Sequence, residues 1–435
     1  MQKEVSIVFF FSIISIISGI LLLHLPTVHP VVIFGSMFIA ASVMFTVMAW
    51  TLFRVEVPTK ILFGIVAVGL IVRLSFVTTS PIGSEDAYRY VWDGKVEAYG
   101  TNPYLYAALD SRLDSLHSPH LPAAMNHADL KTIYFPLSEW IFYLSYRLSG
   151  EAFWGYKTVF LLAEVGTICA LFLLLSMLHI PQKFILLYAV SPLPIFEFAV
   201  DAHLDAVGLP LFLFSLLFYL KERKTLSYVF LGLSMSIKPV GLILLPALFF
   251  FEKGWRNKLY ALLIPLTTVG VQFLPYIFSS NPFETLFTFT KDWSFNGAVF
   301  ESVYACVHDN QLSRLFCAGI LGLLVFLLNV KRRDLPTTAY FSLLALMLLS
   351  PVVHPWYVAW MAVLLPVMRR WSGIAFVAGV SLTSFTVMNY RLTGLWVQYP
   401  AVLVIEYLPV ILLMIVELRE YFLKRQEQSA ARSGI

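Results

Sequence analysis

Apolar runs long enough to cross a membrane recur along the chain, at 5–24, 31–53, 60–79, 157–178, 258–278, 314–330, 371–389 and 400–418. About 20 apolar residues reach across the ~30 Å hydrocarbon core of a bilayer. Inside that core only helices and closed barrels satisfy every backbone N–H and C=O, and runs of this length select helices. The 435 residues are therefore expected to be all-α, a polytopic transmembrane helix bundle. Hydrophobic residues make up 59% and charged residues 13%, against about 25% charged in soluble domains. That balance excludes a soluble enzyme, a disordered chain and a secreted disulfide scaffold. The first run, Val5 to Leu23, is too long for a signal-peptide core, and a second run opens at Val31 without an intervening cleavage site. It is expected to be a membrane anchor.

Three longer apolar stretches carry polar or proline-containing centres. They are 184–220, broken at Asp201–Asp205; 225–252, broken at Lys238-Pro239; and 336–368, broken at Pro351–Pro355. Basic clusters test the count: Lys3, Arg54/Lys60, Lys183, Lys221/Arg223/Lys224, Lys253/Arg256/Lys258, Lys331/Arg332/Arg333, Arg369/Arg370 and Arg419/Lys424/Arg425. All face the cytoplasm under the positive-inside rule only if each broken stretch crosses twice. The expectation is about 14 spans with both termini cytoplasmic, with 225–252 either two spans or a re-entrant hairpin. Large outer loops then fall at about 80–156 and 280–312. The chain divides into an accessory N-terminal hairpin (1–56), a catalytic membrane core (57–370), and C-terminal transmembrane helices with a short cytoplasmic tail (371–435). The three cysteines, Cys169, Cys306 and Cys317, match no metal or redox spacing; Cys306 and Cys317 could pair only in an oxidising compartment.

The first outer loop is the one long polar segment. Ser84 precedes Glu85 and Asp86 as an N-cap, with acidic residues in the first helical turn. Asp86, Arg89, Tyr90 and Asp93 lie at i, i+3, i+4 and i+7, on one helical face. A carboxylate just past a span, beside a basic residue and aromatics such as Trp92, suits a general base for a hydroxyl acceptor. The bland reading is a capped helix with an Arg89–Asp93 ion pair. Tyr134 and the amphipathic stretch Trp140–Leu148 predict one or two short helices lying along the membrane surface. His117, His120 and His127 lack helical ligand spacing as a set, and no metal site is assigned.

The breaks supply the remaining candidates. Glu197, Asp201 and Asp205 are four apart and share a helical face, with His203 beside them. Carboxylates at a membrane boundary mark a cavity more often than decoration. Lys238 has no carboxylate in its own turn, and a lone cation between short apolar helices suits a phosphate oxygen; snorkelling is the alternative. His354, Trp356 and Tyr357 form either an aromatic belt or a contact to lipid phosphate and sugar. Glu164, Gln272 and Glu406 lie within spans and are assigned to interior polar contacts; Arg73 and Arg391 are weaker anion contacts.

The ordered set of features resembles the GT-C superfamily of integral-membrane glycosyltransferases. It is nearest the bacterial polyprenyl-phosphate-mannose-dependent mannosyltransferases and the branch that builds the GPI anchor. The resemblance is carried by Glu85-Asp86 through Gly94, Gly100 to Tyr104, Thr132 to Leu137, Asp201 to Asp205, Lys238-Pro239 with Pro246, and Ser350 to Tyr357. It runs from about 60 to 370; many members begin with the span directly before the first outer loop, whereas here two further spans precede that span. It implies that Asp86, with Glu85 adjacent, serves as the base or positions the acceptor. The expected reaction moves a hexose, with mannose favoured, from a polyprenyl-phosphate carrier to a glycan or lipid acceptor, with inversion, at the outer face of a bacterial cytoplasmic membrane. Lys238 and His354 are expected on the donor phosphate. The remaining substrate-binding set is Arg89, Tyr90, Trp92, Asp93, Tyr134, Asp201, His203, Asp205, Trp356 and Tyr357. No cofactor is required; a divalent cation is compatible with the reading but not implied by it. No nucleotide fingerprint or nucleic-acid partner is indicated. The alternative is a multi-span transporter or lipid flippase, against which no repeat of two related halves is visible.

Overall fold

The computed structural model describes residues 2–330 and 334–433, with side chains described as far as 420. The basic cluster Lys331/Arg332/Arg333 and the side chains of Lys424 and Arg425 lie outside the described residues. The structure is 75% helix, with no strand among the described residues; isolated bridges pair Phe295 and Asn296 with Val352.

The first six helices are α1 (Gln2–Leu21), α2 (Pro30–Leu52), α3 (Thr59–Ser75), α4 (Asp86–Ala98), α5 (Pro136–Ser149) and α6 (Trp154–Met177). Each apolar run becomes a helix, and each polar centre becomes a break. The stretch 184–220 opens into Pro192–Val200 and Asp205–Leu220 around a bend. Lys238 is extended (φ −152°, ψ 134°) between Lys224–Ile237 and the 3-10 turn Pro239–Leu244. Ser350–His354 separates Leu335–Leu349 from Pro355–Ala362.

The span count differs from the sequence expectation. Among the described residues, six helices are long and apolar enough to cross a membrane, and seven if the pair Gln182–Ala189 and Pro192–Val200, bent by 45°, is one span. About 14 are not reached by this measure because the broken stretches give short pieces. Asp205–Leu220, of 16 residues, is about 24 Å long at 1.5 Å per residue, short of a ~30 Å core.

The bundle has two distinct ends. At one, the Lys183 ammonium donates to the Val55 carbonyl (2.6 Å), Phe53 stacks on Trp371 (5.4 Å), and Arg369 lies over Phe184. Basic residues separated in sequence therefore collect there. At the other end sit the 80–156 loop and the breaks. The N-terminal hairpin is packed into the bundle: Phe38 of α2 stacks on Phe196 at 4.6 Å, directly behind the 195–204 bend. Ile7, Phe11, Ile14, Ile71, Leu315, Leu323, Ile405 and Ile415 point outward, the dress of a lipid-facing surface. Cys306 and Cys317 are free thiols.

Candidate active site

The three breaks and the start of the first outer loop converge on one cluster. Its backbone is irregular at the 195–204 bend. Ile195–Val200 forms a single π-helical turn, and Ala202 follows with φ 60°. A left-handed non-glycine residue is strained, and π-turns gather at functional sites. The bend is fixed by His203 N–H donating to the Glu197 carbonyl (2.9 Å) and Asp201 N–H to the Phe196 carbonyl (3.0 Å). The Lys157 ammonium donates to the Val200 carbonyl at 2.7 Å from the adjacent α6.

Asp201 ties this bend to the first loop. Its Oδ1 accepts from the amides of Ile82 and Gly83, both at 2.8 Å. Gly83 is required there, because an added Cβ would lie 2.5 Å from Asp201 Oδ2 and 2.7 Å from the Phe34 ring. One turn later Asp86 opens α4, its amide held by the Ser84 hydroxyl (3.2 Å). Ser84 thus braces the helix start, although the N-cap position itself is Glu85. Asn126 donates to Asp86 Oδ1 (3.1 Å). The Asp86 side chain keeps 23% exposure, and burial of its surroundings pushes its carboxyl up from the usual carboxylate range, against the Asn126 hydrogen bond.

The second and third breaks meet at Asp205. The Lys238 ammonium donates to its Oδ1 (2.9 Å) and Oδ2 (3.1 Å), and the Trp360 indole donates to Oδ1 (2.6 Å). Lys238 also lies 3.6 Å from the Tyr357 ring centroid, a cation–π contact. Lys238 is therefore not the lone cation that its sequence neighbourhood suggested; its carboxylate comes from 33 residues earlier. Trp356 stacks on His203 at 3.6 Å and His354 on Trp356 at 4.3 Å. The His203 ring stands between two carboxylates, with Nδ1 3.7 Å from Asp86 and Nε2 3.4 Å from Glu197.

Eight of the expected residues are thus assembled together: Asp86, Asp201, His203, Asp205, Lys238, His354, Trp356 and Tyr357. The others lie elsewhere. Glu85 turns away to Arg391 (2.7 Å). Arg89 pairs with Asp93 (3.3 Å) and donates to the carbonyls of His127 and Leu130, so the bland ion-pair reading describes it. Tyr90 is stacked on Phe142 (4.6 Å) and edge-on to Tyr134 (5.2 Å). Trp92 is buried against His117. These aromatic rings form the loop's own core. Arg73 is likewise internal, bonded to Glu164 (2.9 Å), which also accepts from Tyr188.

Asn126, Trp360 and Lys157 were not among the expected site residues, and Glu197, singled out with Asp201 and Asp205, was not in the expected substrate-binding set. Glu197 and Trp360 carried a signal, standing four residues from Asp201 and four from Trp356. Asn126 had none, since only the folded loop brings it to Asp86.

A membrane helix bundle whose broken helices carry carboxylates, a lysine and stacked aromatics to one end has the arrangement expected of an integral-membrane glycosyltransferase. Over residues 13–252 the sequence matches the family described as alpha-(1->6)-mannopyranosyltransferase, N-terminal domain, the MptA/B family. That is more than half of the chain, and the protein belongs to this family of GT-C type membrane mannosyltransferases. No curated protein and no solved structure matches it. The matched region holds Asp86, Asp201, His203, Asp205 and Lys238, while His354, Trp356 and Tyr357 lie beyond it. The transporter or flippase alternative gains nothing from the match.

Proposed function

We propose that the protein transfers mannose from a polyprenyl-phosphate carrier to a hydroxyl of a glycan or lipid acceptor, with inversion, at the outer face of a bacterial cytoplasmic membrane. The observation that carries this reading is Asp86: a partly open carboxylate at the mouth of a buried polar cluster, held by Asn126 and facing His203. Asp86 takes the acceptor proton as the acceptor oxygen attacks the anomeric carbon from the face opposite the phosphate. The carbon–phosphate oxygen bond breaks and the lipid phosphate leaves. Lys238, with 21% of its side chain exposed, supplies positive charge toward that leaving group. His354 and Trp356 flank the same opening.

Placement at the outer face rests on the grouping of basic residues at the opposite end of the bundle. The exposed face of α5, with Trp140, Tyr143, Leu144 and Leu148 outward, suits a helix lying in the interface. On this reading both termini are cytoplasmic, and the short helix pairs cross as paired segments to give the larger span count.

The test is transfer by the purified chain, given synthetic polyprenyl-phosphate mannose and a mannoside acceptor, with the product anomer read by NMR. Single cysteines at Ser115 and Lys224 in intact cells check the sidedness. Labelling at Ser115 alone is the expected result, and labelling at position 224 overturns the orientation. If a nucleotide-linked mannose is used and the polyprenyl donor is not, the carrier assignment fails.

A further inference from the structure

We propose that Glu197, Asp201 and His203 form a binding site for a divalent transition cation of the manganese or zinc type, with Asp86 as the outer carboxylate partner of the ligating imidazole. One ligand atom from each of the three side chains falls within 4.8 Å of the others, and all three residues are buried. An ion about 2 Å from each ligand needs ligand atoms about 3–4 Å apart, so side-chain rotations that close the widest gap by about 1–2 Å complete the set. Mixed imidazole and carboxylate donors suit zinc and manganese rather than a soft or an all-oxygen ion.

Three independent features point to a cation. His203 is fully buried, yet neither ring nitrogen has a hydrogen-bond partner among the described residues; a buried imidazole left so is rare unless something else engages it. Glu197, also buried, has no basic neighbour other than His203 among the described residues. Its neighbour Asp205 differs, since Lys238 neutralises it. Finally, Asp201 binds two amides through Oδ1, leaving Oδ2 as its ligand atom, while Lys157 directs its hydrogen bonds to Phe76, Thr79 and Val200.

The two sides of the imidazole then have separate jobs. Nε2 faces Glu197 and is the ligand atom, and Nδ1 faces Asp86 at 3.7 Å, the side on which it would donate once the site closes on an ion. A metal-bound histidine commonly gives its second N–H to a carboxylate, which fixes tautomer and ring orientation. Trp356, stacked at 3.6 Å, holds the ring in that plane. The strained turn at Ala202 presents the ligands from one short bend.

The experiment is metal binding, which stands or falls apart from the transfer reaction. The full-length chain in detergent is stripped with a chelator and titrated separately with Mn²⁺ and Zn²⁺. Bound metal per chain and the thermal midpoint are read, with X-ray absorption on the zinc-loaded protein. One equivalent of at least one of the two ions is expected, with a raised midpoint and a nitrogen/oxygen shell containing a single imidazole. His203→Ala and Glu197→Gln should each weaken binding at least tenfold, and Asp86→Asn about 10–100-fold. His120→Ala, in the exposed loop, should leave it unchanged. Asp201→Asn replaces either ligand variant that does not purify. No saturable binding of either ion overturns the site. So does binding indifferent to the ligand variants, a sulfur shell, or a shell of several imidazoles, each of which would put the ion elsewhere.

Discussion

Two groups of buried carboxylates sit at opposite ends of α4, and they differ in how they are satisfied. At its C-terminal end Asp93 and Glu97 meet Glu139 of α5. Arg89 pairs with Asp93, the Thr132 hydroxyl donates to Glu139 (2.7 Å), and the Tyr276 hydroxyl donates to Glu97 (2.7 Å). At its N-terminal end Asp86 meets Glu197 and Asp201 around an imidazole with no hydrogen-bond partner among the described residues. Burial pushes the carboxyls of Asp86, Asp93 and Glu139 upward, so a displaced acidity does not tell a site from a strut. The partners do. Each carboxylate of the first group holds a partner from Arg89, Thr132 or Tyr276, while Glu97 Oε2 and Glu139 Oε2 have none among the described residues; the second group surrounds an imidazole with neither nitrogen bonded and reaches the surface through Asp86.

The sharpest way to break this contrast is to remove basicity at each end. Asp86→Asn keeps shape and loses the base. Transfer should fall about 10²–10⁴-fold, the usual contribution of a positioned base, with folding and donor binding retained. Glu85→Gln should cost far less, because Glu85 faces Arg391. A purified Asp86→Asn enzyme with near-normal turnover would falsify the assignment. At the other end, Arg89→Ala leaves Asp93 buried and unpaired and frees the carbonyls of His127 and Leu130. Breaking a buried pair costs about 3–5 kcal/mol. Amide exchange across 126–132 should rise sharply, and the activity lost should follow the unfolded fraction. If instead the loop stays protected while the donor KM alone rises, Arg89 belongs to substrate after all.

What the sequence disclosed follows the range of each interaction. Helices and their breaks were legible because hydropathy and proline act locally; 184–220, 225–252 and 336–368 each break where the polar centre stands. The Arg89–Asp93 pair was legible at four residues' separation. Which face of α4 does chemistry was not. Tyr90, Trp92 and Asp93 are all buried, so amphipathicity could not separate the loop's own core from the substrate side. The Lys238–Asp205 pair was hidden for another reason: one member sits in an extended break and the other opens a helix, and they meet only after packing. The count of about 14 spans is not reached by helix length where a run's hydropathy exceeds the length of helix it makes.

Lys238 tests the open group at a smaller magnitude. Lys238→Ala removes a charge-assisted contact worth about 1.5–3 kcal/mol, so the donor KM should rise about 10–150-fold with a smaller change in kcat. Asp205→Asn keeps the Trp360 contact and frees the ammonium, and should not weaken the donor. Equal damage from both substitutions would mean that the pair is a strut like Arg89–Asp93.

The smallest effect is expected at Glu139, and its sign matters more than its size. Burial and the neighbouring Asp93 charge hold the Glu139 carboxyl well above its usual 4.5. The folded protein therefore binds a proton there that the unfolded chain releases near that value. Stability from this group is fully present below the unfolded pKa and is lost as pH rises through the higher folded one. Glutamine mimics the protonated acid and does not titrate. Glu139→Gln should leave transfer intact, keep stability within about 1 kcal/mol of the parent, and flatten the fall in stability on going from pH 5 to pH 8. Denaturation midpoints in detergent across that range measure it. A variant that is inactive but stable would place Glu139 with Asp86, and a steeper pH dependence would mean that the closed group holds its charge.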